Sequence, residues 1–337
     1  MKRDERIHLF AGEIWEWFAR CKRKLPWRDL PTGRQGLAVE DDTERAYRVL
    51  VSEMMLQQTQ VPRVIVIYRR FLEQFPQLKD LACASNREVI LAWRGMGYNN
   101  RALRLRDAAR TILAEFDGTF PRDMDRLQSL KGVGHYTAAA IRNFAFNIPT
   151  PCIDTNIRRI LHRTFVGPEN HDGTWKKGDE YLLQLAAEVL EHALQMDKRL
   201  AISGKRLATA NWHAALMDFG SLVQTKRNPK WEQCPLTAKG VMKATEQNMP
   251  DASGKGRKTE PGRMVGSRFI PNRIFRGKIV EALRDSKKGM TLEEIGKEIC
   301  IDWCGEEKQC SWLQDCVLAL QRDQLVMQKA DMFLLTE

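Results

Sequence analysis

Nowhere does the sequence of 337 residues hold a run approaching the ~18 uninterrupted apolar residues that a membrane-spanning helix requires. The opening stretch, MKRDERIHLFAGEIWEWF, carries charge throughout and lacks the apolar centre of a secretory signal. A soluble cytoplasmic protein with no membrane partner is expected. Cysteine is too thinly spread, at 21, 83, 152, 234, 300, 304, 310 and 316, to frame a small secreted scaffold, so reduced thiols are expected. Acidic residues are also short: 43 Asp and Glu stand against 54 Lys and Arg, for a formal charge of +11. That balance argues against a basic partner and favours a polyanion, nucleic acid first.

Strand patterning is scarce as well. From about residue 5 to 242 apolar residues recur at helical spacing, as in Tyr47, Leu50, Val51, Met54 and Met55 or Val89, Leu91 and Trp93. Pro26, Pro62, Pro76, Gly95, Gly97, Pro121, Gly132 and Gly134 cut that pattern into many short helices, which predicts an all-α body over 1–242. Residues 243–273 are poor in large apolar side chains and rich in Gly, Pro, Lys and Arg, the composition of a basic linker. Beyond it, FRGKIVEALRDS, TLEEIGKEIC and SWLQDCVLALQRDQ read as amphipathic helices, and LVMQKA with MFLLTE as strands about an Asp turn. Residues 274–337 therefore predict a small winged-helix-like module.

The most informative segment is 127–146, LQSLKGVGHYTAAAIRNFAF. A short helix ends at Leu130, Gly132 and Gly134 permit a tight turn, and a second helix begins near Tyr136. Backbone amides at such a turn, Val133 and His135 included, sit at the positive end of a helix dipole and can clamp phosphate without reading a base. About twenty residues on comes Asp154, in CIDTNIRRI. An aspartate before a helix can serve only as its N-cap, as can Asn156. It can equally stabilise the cationic sugar that forms when a glycosidic bond breaks, and spacing leaves both readings open.

Taken together, LKGVGHYTAAAI followed by IDTNIRRIL resembles the hairpin, Gly/Pro-rich loop and aspartate of the endonuclease III superfamily. The resemblance implies a two-lobed helix-hairpin-helix DNA glycosylase fold. The bifunctional lyases of that superfamily carry a lysine where this chain has Tyr136, which implies a monofunctional enzyme; Lys131 stands outside that register. Upstream, RKLPWR at 23–28, SEMMLQQTQV at 52–61 and GMGY at 95–98 are similar to MutY-type adenine DNA glycosylases, over about residues 10 to 238.

On that family's pattern Glu53 is the acid that protonates N7 of an extruded adenine, a step that purine excision needs. To be protonated near neutral pH it must sit in a dehydrated pocket, and its neighbours Met54, Met55 and Leu56 suit one. Asp154 meets the sugar cation, while Tyr136 and Asn156 match positions that hold the aspartate and the sugar. Arg23, Trp27, Arg28 and Leu56 are expected around the base. Gln57, Gln58 and Thr59 match the turn entering the duplex, and Tyr98 an intercalating wedge. Gly132, Val133, Gly134 and His135 form the phosphate-binding turn.

Three departures stand out. The family's 4Fe–4S cluster is held by four cysteines, and the matching positions here are Gln224, Trp231, Cys234 and Gly240. No iron-sulfur cluster, and no other cofactor, is therefore expected. Ala214 stands where a Gln or Glu usually helps read adenine, and Asn99 replaces a common second tyrosine after Tyr98. Residues 274–337 are too short and too helical for the Nudix-like domain with which the family recognises 8-oxoguanine. In their place are Cys300, Cys304, Cys310 and Cys316, whose spacing falls short of a structural zinc pattern, so no metal is assigned to them.

The expected function is removal of adenine opposite 8-oxoguanine or guanine, from duplex DNA carrying a mismatched or oxidised pair, by a monomer associated with the nucleoid. Mismatch thymine or uracil glycosylases share the hairpin, the tyrosine and the aspartate, and their MDF resembles Met217-Asp218-Phe219, but they generally lack QQTQ. A non-catalytic DNA-binding protein would account for the charge but gives no use to carboxylates facing phosphates.

Overall fold

The structure, a computed structural model, describes residues 1–28, 42–200, 207–250 and 260–337, apart from the side chains at 199 and 200. The chain divides into two compact units. The first comprises Met1–Leu50, Pro121–Ser129 and Val133–Gly256; the second Val51–Phe120, Leu130–Gly132 and Arg257–Glu337.

In the first unit the helix Arg3–Cys21 carries Ile7, Phe10, Ala11, Ile14, Trp15 and Phe18 at helical spacing on its buried face. That face packs on Asp179–Leu200 and Ala208–Leu222. The rings of Trp15 and Trp212 lie 5.2 Å apart, and Phe10 meets Phe165 edge-on at 5.4 Å. Such pairs contribute about 0.5–1.5 kcal/mol beyond their burial. Against the same helix Ala208–Leu222 lies Thr155–Leu161, which runs on into a π-helical turn, His162–Val166.

The second unit holds the helices Val61–Gln74, Leu78–Cys83, Asn86–Ala92 and Asn100–Glu115, then Asn272–Asp285, Leu292–Ile299 and Glu307–Arg322. Ser85 and Thr291 each open a helix with a capping box, completed by Glu88 and Glu294. An antiparallel pair, Val326–Lys329 with Met332–Leu335, closes the chain, with Val326 opposite Leu335 as the alternating pattern predicts. Met290 bridges to Phe333 beside it.

Two features differ from the sequence reading. Residues 274–337 do not stand apart from the body: Ile90 and Leu103 are buried in one cluster with Phe275, Ile279, Leu283, Leu313, Val317 and Phe333. The buried Arg284 seals that contact by donating to the Ile90 carbonyl at 2.9 Å and to Asn99 Oδ1 at 3.0 Å. Nor is 243–273 a plain linker. Lys243 and Ala244 donate their backbone N–H groups to the Arg163 carbonyl, Glu246–Asn248 makes a 3-10 turn, and Gly262–Val265 pairs with Arg268–Pro271 as a hairpin. Strands of four residues are too short for alternation to register against so polar a background. No helix among the described residues is long and apolar enough to cross a membrane.

Candidate active site and nucleic-acid interface

In the first unit Asp154 is the N-cap of Thr155–Leu161. Its Oδ1 accepts the backbone N–H groups of Asn156 at 2.9 Å and Ile157 at 2.6 Å, and its Oδ2 accepts Asn156 Nδ2 at 3.0 Å. Burial pushes its pKa above the usual carboxylate value, against the pull of these donors and of Arg159. Arg159 in turn donates to Asn156 Oδ1 at 3.1 Å and to the carbonyls of Gly220 and Gln224, so Asn156 is held from both sides. Gly220 makes that approach possible: a Cβ there would stand 2.7 Å from Asn156 Cβ. Gly220→Ala is expected to push the capped turn aside and slow single-turnover base release by about 10- to 100-fold, the scale of an ångström-sized misplacement. Release at the normal rate by a folded variant would show that the close contact positions nothing.

Arg23 and Arg28 converge on the fully buried Asp218. Arg23 approaches it through its backbone N–H at 3.1 Å and Nε at 2.8 Å, and Arg28 Nη1 lies 2.9 Å from both carboxylate oxygens. Asp218 thus anchors two residues assigned to the base pocket, a role its place in MDF did not reveal. Trp27, between them in sequence, is buried. Tyr136 is half-buried against the first unit's core, in the opening turn of His135–Phe144.

The hairpin joins Met124–Ser129 to His135–Phe144. Gly132 takes φ +84° there, the left-handed region that favours glycine. Gly134 does not: it is extended, and an added Cβ would meet nothing within 4 Å. Its use is the open approach it leaves to the first helical amides, not unusual torsion. Gly132, Gly134 and His135 are exposed, whereas Val133 is buried and anchors the turn. Lys131 is engaged elsewhere, 2.6 Å from Asp107.

The second unit carries Glu53, Leu56, Gln57, Gln58, Thr59 and Tyr98. Glu53 is buried on Asp42–Leu56, flanked by the buried Ser52, Met54 and Met55, while Leu56 is partly exposed. Gln57, Gln58 and Tyr98 are exposed, and Gln58 and Tyr98 both adopt positive φ, +53° and +45°. Backbone conformations unfavourable for such residues persist where surrounding contacts fix them. The fixing residue is Arg101, which the sequence reading missed. Its buried guanidinium donates to the carbonyls of Met54 at 2.8 Å and Gln57 at 2.5 Å, to Thr59 Oγ1 at 3.3 Å and to the Gly97 carbonyl at 3.3 Å. It also lies 5.5 Å from the centre of the Tyr98 ring. Burial draws its pKa down to about 10, which leaves it charged at neutral pH. One cation therefore ties the 57–59 turn to the 96–98 turn.

Around Cys234, Gln224 is fully buried, donating Nε2 to Cys234 Sγ at 3.4 Å and accepting Arg163 Nη1 at 3.2 Å. Arg163 is itself paired with Glu169 at 2.8 Å and bonded to the Thr225 carbonyl, and Trp231 packs on the first unit's core. One thiol with a glutamine, a tryptophan and a glycine at the other three positions does not fit a cluster held by four thiolates. In the second unit Cys300 and Cys316 are buried, their thiols pushed up by desolvation, Cys316 to about 11. Cys304 is exposed and Cys310 half-buried.

A helical body, a glycine hairpin and a capping aspartate define a helix-hairpin-helix base-excision repair protein, and residues 51–190 match the HhH-GPD superfamily base excision DNA repair protein family. Over 95% of its length the chain is 32% identical to the adenine DNA glycosylase of Mycolicibacterium smegmatis, of which it covers 93%, and it belongs to that family. It is thus a DNA N-glycosylase. It is also 37% identical to the adenine DNA glycosylase of Mus musculus over 68% of this chain, spanning 41% of that protein. Among solved structures, a thermostable thymine-DNA glycosylase shares the fold with a TM-score of 0.56 at 23% identity, over 71% of this chain and 96% of that one. A trapped endonuclease III–DNA covalent intermediate does so at 0.50 and 20%, over 70% and 94%.

Proposed function

We propose that this glycosylase is monofunctional and removes adenine mispaired with 8-oxoguanine or guanine. The observation that carries the reading is Glu53, buried within SEMMLQQTQV, with Tyr136 in the place of a lyase lysine; the sugar cation falls to Asp154, a carboxylate held by three donors from Asn156 and Ile157 and yet raised by burial. A group so placed is fixed in position and lightly solvated, the state in which it best meets a developing cation. Glu53, buried among Ser52, Met54 and Met55, delivers its proton to N7 of the extruded adenine. The C1′–N9 bond then breaks with its electron pair passing to the base, and positive charge builds on the sugar beside Asp154. Water adds at C1′ and gives up a proton to a carboxylate, leaving neutral adenine and an abasic site.

Tyr136 and Asn156 hold the aspartate and the sugar; Arg23, Trp27, Arg28 and Leu56 line the base. Gln57, Gln58 and Thr59 enter the duplex, Tyr98 wedges where the base has left, and the Gly132–His135 turn grips phosphate. The enzyme works as a monomer wherever the chromosome lies, at the nucleoid in the cytoplasm.

One observation favours a second reading, release of mispaired thymine or uracil. Ala214, buried and without a polar side-chain atom, stands where a Gln or Glu would help read adenine. Duplexes carrying A opposite 8-oxoguanine, A opposite G, T opposite G and U opposite G, each incubated and then cleaved with alkali at abasic sites, separate the two. Cleavage confined to T and U overturns the adenine assignment. Strand scission without alkali, or a borohydride-trapped adduct, overturns the monofunctional one.

The enzyme does this without an iron-sulfur cluster. The buried Gln224 and Arg163, the latter oriented by the partly buried Glu169, hold the 224–234 loop by hydrogen bonds instead. The purified protein is expected to be colourless, free of stoichiometric iron and stable in strong chelator. Broad visible absorbance with bound iron would refute this.

A further inference from the structure

The turn that presents Tyr98 has a backbone that is costly to hold. Gly97 and Tyr98 take consecutive positive φ values, +67° and +45°, a conformation that glycine adopts freely and tyrosine does not. A strained residue stays in place only while its surroundings over-determine it. On one side Arg101 does this, donating to the carbonyls of Met96 at 3.4 Å and Gly97 at 3.3 Å. On the other side stands Asn99, whose side chain is turned in an unexpected direction.

Asn99 is the N-cap of Asn100–Glu115, where an asparagine oxygen ordinarily accepts backbone N–H groups of its own helix. It makes no such bond here, and its backbone is already helical, with φ −59° and ψ −23°. Its Oδ1 instead accepts Arg284 Nη2 at 3.0 Å, a nitrogen that also donates to the Ile90 carbonyl at 2.9 Å. Glu281, one turn earlier on Asn272–Asp285, takes Nη1 and fixes the guanidinium plane. Both Asn99 and Arg284 are buried, and a hydrogen bond from a charged donor is stronger where water is excluded. The local cap is thus given up for a bond that spans 185 positions and ends on the residue beside Tyr98.

We propose that Arg284 is a positioning residue for base extrusion: bonded to Asn99, it sets the turn from which Tyr98 enters the duplex. The helix Asn272–Asp285 then acts on that step through the protein interior, with no contact of Arg284 to DNA. The inference rests on the reading of Tyr98 as the wedge, and not on which base leaves.

The test uses the full chain on whichever of the four duplexes the wild type cleaves, with 2-aminopurine beside the target base, where unstacking on extrusion brightens its fluorescence. Single-turnover release and this brightening are read for Asn99→Ala, for Arg284→Met, which keeps a buried apolar stem but loses the donors, and for both together. Thermal melting checks folding, and if Arg284→Met does not fold, the Asn99→Ala comparisons decide. Each single variant is expected to slow release and weaken the brightening by about tenfold, within the coupling that residues in contact show. The double variant should be no slower than either, because both changes break one bond. In a Tyr98→Ala background Asn99→Ala should cost nothing further, since no wedge is left to place. A merely structural role would slow release equally with and without Tyr98. Wild-type release and brightening in folded Asn99→Ala would overturn the inference, as would an undiminished further loss in the Tyr98→Ala background. A Tyr98→Ala enzyme that brightens and releases like the wild type sinks the wedge reading and this inference with it, whereas a working wedge with additive losses sinks this inference alone.

Discussion

Asp154→Asn is expected to abolish base release, by at least about 10³-fold in single turnover, while duplex affinity stays within a few-fold. The carboxylate acts on a charge that exists only near the transition state, so its loss is felt in the chemical step and not in binding. The fold tolerates the change, because an asparagine oxygen can still accept the Asn156 and Ile157 N–H groups that Asp154 caps. Stability should move the other way. Burial raises the Asp154 pKa in the folded protein above its unfolded value, so the folded state binds the proton more tightly, and ionisation at higher pH costs stability. The neutral amide escapes that cost. At pH 7–8 the variant should therefore melt above the wild type, and the gap should close as pH falls through the raised folded pKa. Excision by the variant at anything near the wild-type rate removes Asp154 from the mechanism, and a lower melting temperature at pH 8 shows that the cap outweighs the burial.

What the sequence made legible was local. The hairpin, the capping aspartate and the Glu53 helix each lie within one stretch of chain whose spacing carries the information. What stayed hidden depends on residues far apart. Arg101 reaches the Met54 carbonyl across 47 positions, and Asp218 receives Arg23 across 195, so neither leaves a periodic trace. Asn99 was visible only as a departure from the family's tyrosine, and its use emerges once Arg284 is seen bonded to it. The same contact ties residues 274–337 to helices of the second unit. Composition marks where the chain turns polar, but it says nothing of Ile90 and Leu103 completing the apolar core of a module that begins about 170 residues later. The Gly262–Pro271 hairpin escaped for lack of length.

The division of labour between acid and wedge gives the second large effect. Adenine leaves well only when N7 is protonated, so Glu53→Gln is expected to lower its release by about two to four orders of magnitude, the usual contribution of general acid catalysis. Pyrimidines have no N7, and release of thymine or uracil leans less on that proton. A Glu53→Gln enzyme that loses adenine activity but keeps activity on T opposite G would therefore mark a pocket serving both bases, which Ala214 makes chemically reasonable. Tyr98→Ala is the contrasting variant. A wedge stabilises extrusion whichever base leaves, so its loss should weaken lesion-duplex binding and slow every substrate together. The two patterns are separable because Glu53 is buried among methionines on Asp42–Leu56 whereas Tyr98 stands exposed on its own strained turn. Measured across the four duplexes, a Glu53→Gln variant that releases adenine at the wild-type rate would falsify the acid assignment and with it the adenine reading, leaving the helix-hairpin-helix fold and the Asp154 site untouched.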